Sequence, residues 1–269
     1  DKDLPWGVKA TIELQYNKLT QAINYTRVDL VPPTLKSAGA GSRTIYTAGR
    51  FSSFNGTPNP YSSIYLLDNA TGNKGYSYNL LVAFNKEMDH GWSANLSWSY
   101  GDSYALNDGL SSQNSSQWRY TPSVNGKNNL DLYRSTFAQG HRISAYLAKT
   151  ITEGKFGATT ITLYYNGLQG MPYSYVYNGS LIGDDGSGSS YDLIYIPENS
   201  GEITFANSNG SLADATQSAA QWQALDAYIN NDKYLSKHRG EFAEANGAHT
   251  PWSHIVDFKL QQDIFLKVA

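Results

Sequence analysis

Across residues 76–106 apolar and polar positions take turns almost without a break. Tyr76, Tyr78, Leu80, Val82 and Phe84 share one phase, and Ser77, Asn79, Leu81, Ala83 and Asn85 the other. After Glu87-Met88-Asp89-His90-Gly91 the alternation returns, with Trp92, Ala94, Leu96, Trp98 and Tyr100 set against Ser93, Asn95, Ser97 and Ser99. A period of two puts each set on its own face of a strand, so this stretch predicts a hairpin with a polar turn. Any half-buried antiparallel pair alternates in this way. The aromatics say more. Tyr76, Tyr78, Trp98 and Tyr100 gather at one end, Phe84 and Trp92 flank the turn, and Leu, Val and Ala fill the band between. That is the profile of a lipid-facing pair held between two interfacial girdles, although a soluble sandwich still stands beside the membrane reading.

The same period recurs along the chain. Val8, Ala10, Ile12, Leu14 and Tyr16 oppose Lys9, Thr11, Glu13 and Gln15, with both charges on the polar face. A lysine on the other face would cost roughly 2–4 kcal/mol at mid-bilayer. Ile143, Ala145 and Leu147 alternate with Ser144, Tyr146 and Ala148; beyond a short turn at Glu153-Gly154-Lys155, Ile161, Leu163 and Tyr165 alternate with Thr160, Thr162 and Tyr164. Val256, Phe258, Leu260, Ile264 and Leu266 are in phase near the end. A mixed β-like run at residues 22–30 halts at Pro32-Pro33. Long polar stretches occupy about 31–63, 107–136 and 170–250.

Every second connection between strands is therefore short and the others long. A membrane barrel sorts its connections this way, with tight turns on one rim and large extracellular loops on the other, whereas a sandwich has no reason to. The expected fold is all-β: residues 1–269 form one partial antiparallel transmembrane β-barrel, about six strands of a larger barrel, with long extracellular loops. The third loop should carry short helices. Trp222, Leu225 and Ile229 are spaced i, i+3, i+7 within 217–232 behind Thr216 as N-cap, and a second helix is expected within 234–245. Such a helix either packs the loop on itself or touches cargo.

Composition narrows the classes. The 269 residues include 24 Gly and 21 Tyr, patterned too regularly for disorder. A net charge of −3 offers no basic stripe for nucleic-acid phosphates. With no cysteine, thiol catalysis, disulfides and cysteine-based zinc sites are absent. No apolar run approaches the ~18 residues of a spanning helix. A mean hydropathy of −0.47 remains compatible with a barrel, where only alternate residues meet lipid. The opening Asp1-Lys2-Asp3-Leu4-Pro5-Trp6 has no signal-peptide pattern and reads as mid-chain.

Little in the chain points to catalysis. The histidines at 90, 141, 238, 249 and 254 stand outside any HExxH pattern, no G-x-S-x-G elbow is complete, and no carboxylate pair is spaced as an acid/base dyad. The reading is not an enzyme; His141-Arg142 is expected to hydrogen-bond at a strand rim. Gly39-Ala40-Gly41 has neither the strand, the helix nor the lysine of a phosphate loop. Asp184, Asp185 and Asp192, in a Gly/Ser-rich turn, could supply oxygens to a structural Ca²⁺, although the EF-hand spacing is not met and an ion-free turn is the other reading. The candidates for ligand contact are Trp118, Arg119, Tyr120, Tyr173 and Tyr175, drawn from loop aromatics that also include Tyr46, Phe51, Phe54, Tyr61 and Tyr177. For each, anchoring the loop is the competing role.

Several ordered runs complete the picture: Gly75-Tyr76-Ser77-Tyr78-Asn79-Leu80, Trp118-Arg119-Tyr120, Asn125-Gly126 with Asn128-Asn129, His141-Arg142, Tyr164-Tyr165-Asn166-Gly167 and Pro172-Tyr173-Ser174-Tyr175. Asp192-Leu193-Ile194-Tyr195-Ile196-Pro197, Leu235-Ser236-Lys237-His238-Arg239-Gly240 and Pro251-Trp252-Ser253-His254 follow. Together they resemble the C-terminal barrel region of Oar-like TonB-dependent receptors, the type with a carboxypeptidase-regulatory-like domain, abundant in Bacteroidota. The resemblance implies an outer-membrane barrel of about 22 strands closed by a plug, importing an unidentified extracellular ligand with energy from TonB. The implied partners are the plug and remaining strands of the same receptor, TonB and the lipid bilayer, with no nucleic acid. Plug, TonB-contacting segment and final strands are missing from this sequence, which is therefore expected to be part of a larger receptor. A β-rich surface module that binds glycan or protein without transport, or a scaffold barrel in an envelope complex, is the alternative.

Overall fold

The strict alternation delivers six long strands. In the computed structural model, which describes residues 1–46, 53–54, 57–58, 63–72, 74–152, 154–155, 157–184 and 191–265, these are β1 (Val8–Lys18), β2 (Tyr76–Asp89), β3 (Trp92–Ala105), β4 (Gly140–Thr152), β5 (Gly157–Leu168) and β6 (Ser253–Ile264). Each pairs antiparallel with the next in sequence, giving one open meander. Lys2–Leu4 folds back on the start of β1, and Tyr133–Arg134 adds to the end of β3. Among the described residues β6 is paired only on its β5 side.

Register makes each face continuous. One row runs Ala10, Phe84, Leu96, Ala145, Tyr165, Val256, and a neighbouring one joins Ala94, Leu147, Leu163 and Phe258. The opposite face reads Thr11, Ala83, Ser97, Ser144, Asn166 and Ile255 in one row, then Lys9, Asn85, Asn95, Tyr146, Tyr164 and Asp257 in the next. Among the described residues no layer covers the apolar face: Ile12 is 71% exposed, Leu163 48% and Phe258 68%.

Aromatic rings bound this face. On the loop side Tyr16 stacks near Tyr76, Tyr76 on Tyr104, Tyr78 meets Tyr100, and Tyr100 lies 4.4 Å from the His141 ring. The line continues through Trp252 and His254 to Tyr165, so rings reach all six strands. His141 does hydrogen-bond at this rim, its Nδ1 lying 3.3 Å from Trp98 Nε1, the donor. On the turn side Trp6, Trp92 and Phe265 are exposed. Lys86 and Lys149, in phase with the apolar face at that end, bend to main-chain acceptors, Nζ of Lys86 donating to Trp6 O and Nζ of Lys149 to His90 O at 2.9 Å.

Several details differ from the sequence reading. The β2–β3 turn is only His90-Gly91, both at positive φ (49° and 77°), the two-residue hairpin whose twist matches the strands. Both strands consequently reach 14 residues, with an irregularity between Trp92 and Ala94, and Phe84 sits opposite Ala10 and Leu96 rather than beside the turn. In the third connection the helix α2 (Ala215–Asn231) is capped by Asp214, not Thr216: Asp214 Oδ1 accepts from Gln217 N while Gln217 Oε1 accepts from Asp214 N. The second expected helix is a single turn, Leu235–Lys237, followed by a two-residue strand, Glu241–Phe242, paired with Tyr195–Ile196. A short helix, α1 (Asn114–Arg119), stands in the second connection, which had been read as plain loop.

Candidate functional site

The buried core of this chain lies in its connections. Leu30 and Tyr46 from the first, Trp118 from the second and Ile182 from the third form one cluster, with Tyr25, Ile45 and Tyr65 against it. Ile196, Ile229, Leu235 and Ala243 form another within the third. The three long connections thus make a cap at one rim of the sheet.

Asn125-Gly126-Lys127-Asn128-Asn129 is its hub. Gly126 has φ +99°, and a Cβ there would lie 2.6 Å from the Tyr46 hydroxyl, so only glycine lets the turn pass. The turn delivers Lys127 into full burial: its Nζ donates to Asp184 Oδ1 at 2.7 Å and its amide to Asp184 Oδ2 at 3.1 Å. Asn128 Oδ1 accepts from Trp118 Nε1 (2.7 Å) and Arg27 N (2.9 Å), while its Nδ2 donates to Arg27 O. Arg27 forks onto Asp29 at 3.1 and 3.2 Å and donates to the main-chain oxygen of Asp184. Burial pushes Asp29 up, but the Arg27 guanidinium and the amides of Ile64 and Ser63 prevail and hold its carboxyl below the usual range.

The residues offered to calcium converge on that lysine. Asp184 and Asp192 are both buried, and Lys127 Nζ, 4.0 Å from Asp192 Oδ1, already brings a positive charge to the pair. Asp192 Oδ2 accepts from Leu181 N (2.6 Å) and Ile182 N (3.1 Å); burial nevertheless outweighs Lys127 and these amides and raises its pKa. Asp185 lies outside the described residues, as do Phe51 and Tyr61 and the side chain of Phe54. Among the described residues no three His, Asp or Glu are grouped to hold a metal ion.

The ligand-contact candidates divide. Trp118, 1% exposed, is cap core, its ring between the Arg27 and Lys127 cations at 5.7 and 5.5 Å. Arg119 borders a shallow polar hollow with Ser63, Tyr65 and Asn114. Tyr120 is half exposed and lies against the Tyr191 ring at 5.3 Å. Tyr173 and Tyr175 share a 3.0 Å contact between hydroxyls, and Tyr175 donates to Asp232 Oδ2 at 2.7 Å.

Of the five, Tyr175 alone lines the largest apolar opening in the cap, a cleft of about 700 Å³ between residues 37–41 of the first connection and α2 with its flanking chain. Tyr177, Tyr195, Phe205 and Tyr228 supply further rings, and Ile194, Ile203 and Leu225 aliphatic surface. Gly41 is fitted closely to its wall, since a Cβ there would stand 2.9 Å from Tyr195 Cβ. Tyr195, Phe205 and Tyr228 were not singled out from the sequence. The i, i+3 spacing of Leu225 and Tyr228 in α2 is the available signal. A smaller cavity, about 280 Å³, lies between residues 122–134 and 242–245 and is more polar.

Cap and wall are tied at the rim. Arg134 Nε lies 3.1 Å from both carboxylate oxygens of Asp102 in β3, and Asn246 Nδ2 donates to Arg134 O at 2.7 Å, linking the second and third connections to the sheet.

Searches against protein-family models, curated proteins and solved structures gave no match to this chain.

Proposed function

We propose that this chain forms part of the wall and outer cap of an Oar-like TonB-dependent receptor in the outer membrane of a Gram-negative bacterium, importing a ligand captured by the cap. The observation that carries this reading is the uncovered apolar face of six consecutive strands, framed by aromatic rings, with all three long connections on one rim. Strands of 11–14 residues extend about 36–46 Å. At the ~45° tilt usual in such barrels this is about 25–33 Å along the membrane normal, enough for the ~25 Å apolar band of an outer-membrane barrel. In water that face would be a large exposed apolar patch; in lipid it is the ordinary exterior of a barrel. Unpaired strand edges do not persist in lipid, so the β6 edge calls for further strands from the rest of the receptor.

The test is fractionation of the full-length receptor. It should partition with the outer membrane, stay folded only in lipid or detergent, and lose ligand uptake in cells lacking TonB. A folded monomer recovered without detergent would instead support the alternative, a non-transporting surface module that binds glycan or protein.

A further inference from the structure

The aromatic cleft has a charge signature as well as a shape. Among the described residues that line it, Glu202 is the one ionisable group apart from tyrosines and none is lysine or arginine; the buried Arg43 guanidinium lies 5.2 Å from the ring of the lining Tyr177. Glu202 Oε2 is engaged, accepting from the Tyr195 hydroxyl at 3.1 Å and from Glu198 N at 2.8 Å, which fixes the carboxylate at the wall. Tyr195 is raised in pKa by burial and by that carboxylate, so the phenol stays a neutral donor. The rings of Tyr175 and Tyr228 and the side chains of Ile194 and Leu225 line the same cleft. Aromatic faces and a fixed carboxylate both attract cations, and the aliphatic floor excludes strongly hydrated groups. A volume near 700 Å³ falls in the range of sites for small ligands.

We infer that the cleft binds a short peptide carrying an apolar side chain next to a positive group, a lysine or free amino terminus, with the cation at Glu202 and the apolar side chain against Tyr228 and Leu225. A glycan fits less well, since its hydroxyls would leave Ile194, Ile203 and Leu225 against polar surface. This rests on the reading of the cap as a capture surface and names the chemistry it selects.

The test is calorimetry on the purified full-length receptor in detergent with three tripeptides acetylated at the amino end and amidated at the carboxyl end, Leu-Lys-Phe, Leu-norleucine-Phe and Leu-Glu-Phe. The lysyl peptide should bind tightest and the glutamyl peptide weakest. Glu202→Gln should weaken the lysyl peptide about tenfold or more, as expected for one lost charge-assisted contact, and leave the norleucine peptide unchanged. Should Glu202→Gln disturb the wall, Thr204→Lys at an exposed lining position should reverse the order of the lysyl and glutamyl peptides, and Tyr228→Ala should weaken all three. Equal affinities across the peptides, tighter binding of the glutamyl one, indifference to all three variants, or no binding at 1 mM would each overturn the inference. Membrane partition and TonB dependence, which rest on the wall, would be untouched by such a failure.

Discussion

Leu14 in the wall is 72% exposed, while Lys127 in the cap is wholly buried. The two regions invert each other's rules. The wall places leucine, isoleucine and phenylalanine outside and holds its backbone in long antiparallel pairings; the cap builds a core of aromatics and ion pairs as a water-soluble protein does. On the proposed reading the difference teaches that the regions face different solvents. A lipid-facing wall would gain nothing from a buried core of its own, and its order would come from hydrogen-bonded register. The cap holds three long excursions together by burial, with the Arg27 and Lys127 cations each paired to a carboxylate and near the Trp118 ring.

The largest effect that would sharpen this contrast is expected from Lys127→Met. It leaves Asp184 and Asp192 buried without their shared cation, which should cost roughly 3–5 kcal/mol. Hydrogen exchange on the full-length receptor should speed up through residues 123–130 and 180–195 while β1–β6 stay protected. Loss of protection in the strands would mean that cap and wall are one unit. Next, Leu163→Arg on the apolar face should cost about 2–4 kcal/mol in a bilayer, whereas Asn95→Arg on the other face should cost little. Equal penalties in a folding assay with liposomes would break the assignment of faces. Removing the α2 cap with Asp214→Ala should cost about 1 kcal/mol, visible as faster exchange in the first turn of α2 alone.

The smallest effect is one of slope. Because the folded Asp192 carboxyl titrates above its unfolded value near 3.8, the stability it contributes is present below that value and fades as pH rises through the higher folded one. Asp29, held low, behaves oppositely, its contribution fading as pH falls through its folded value. Asp192→Asn should remove the first component, so that denaturation of the cap followed between pH 3 and 7 loses less stability towards the upper end. An unchanged slope would contradict the buried, raised carboxyl.

How legible each region was follows from the same contrast. A period of two is a local signal, so all six strands could be read from residues such as Ile12, Leu96 and Phe258, and the alternating loop lengths pointed to a common rim. Strand ends were not legible, because the His90-Gly91 turn is shorter than the polar run around it suggests. In the cap the decisive partners are distant in sequence: Lys127 and Asp184 are 57 residues apart, Arg27 and Asn128 101. No single-sequence period records such pairs. The sequence therefore leaves Trp118 open between ligand contact and loop anchor, and Asp184 open between calcium ligand and ion-free turn; Trp118 is buried in the cap and Asp184 pairs with Lys127, while no local signal marks Tyr195, which lines the cleft.

The central claim is that the apolar face meets hydrocarbon. Nitroxide labels on Leu96→Cys, Leu163→Cys and Phe258→Cys, placed singly in a full-length receptor reconstituted in lipid, test it through collision with oxygen, which concentrates in the bilayer, and with a water-soluble nickel chelate. High oxygen and low nickel accessibility is expected at all three, with the reverse for a label on Leu212→Cys in the cap. Low accessibility to both would place the face against protein, and high nickel accessibility would place it in water; either would contradict the account.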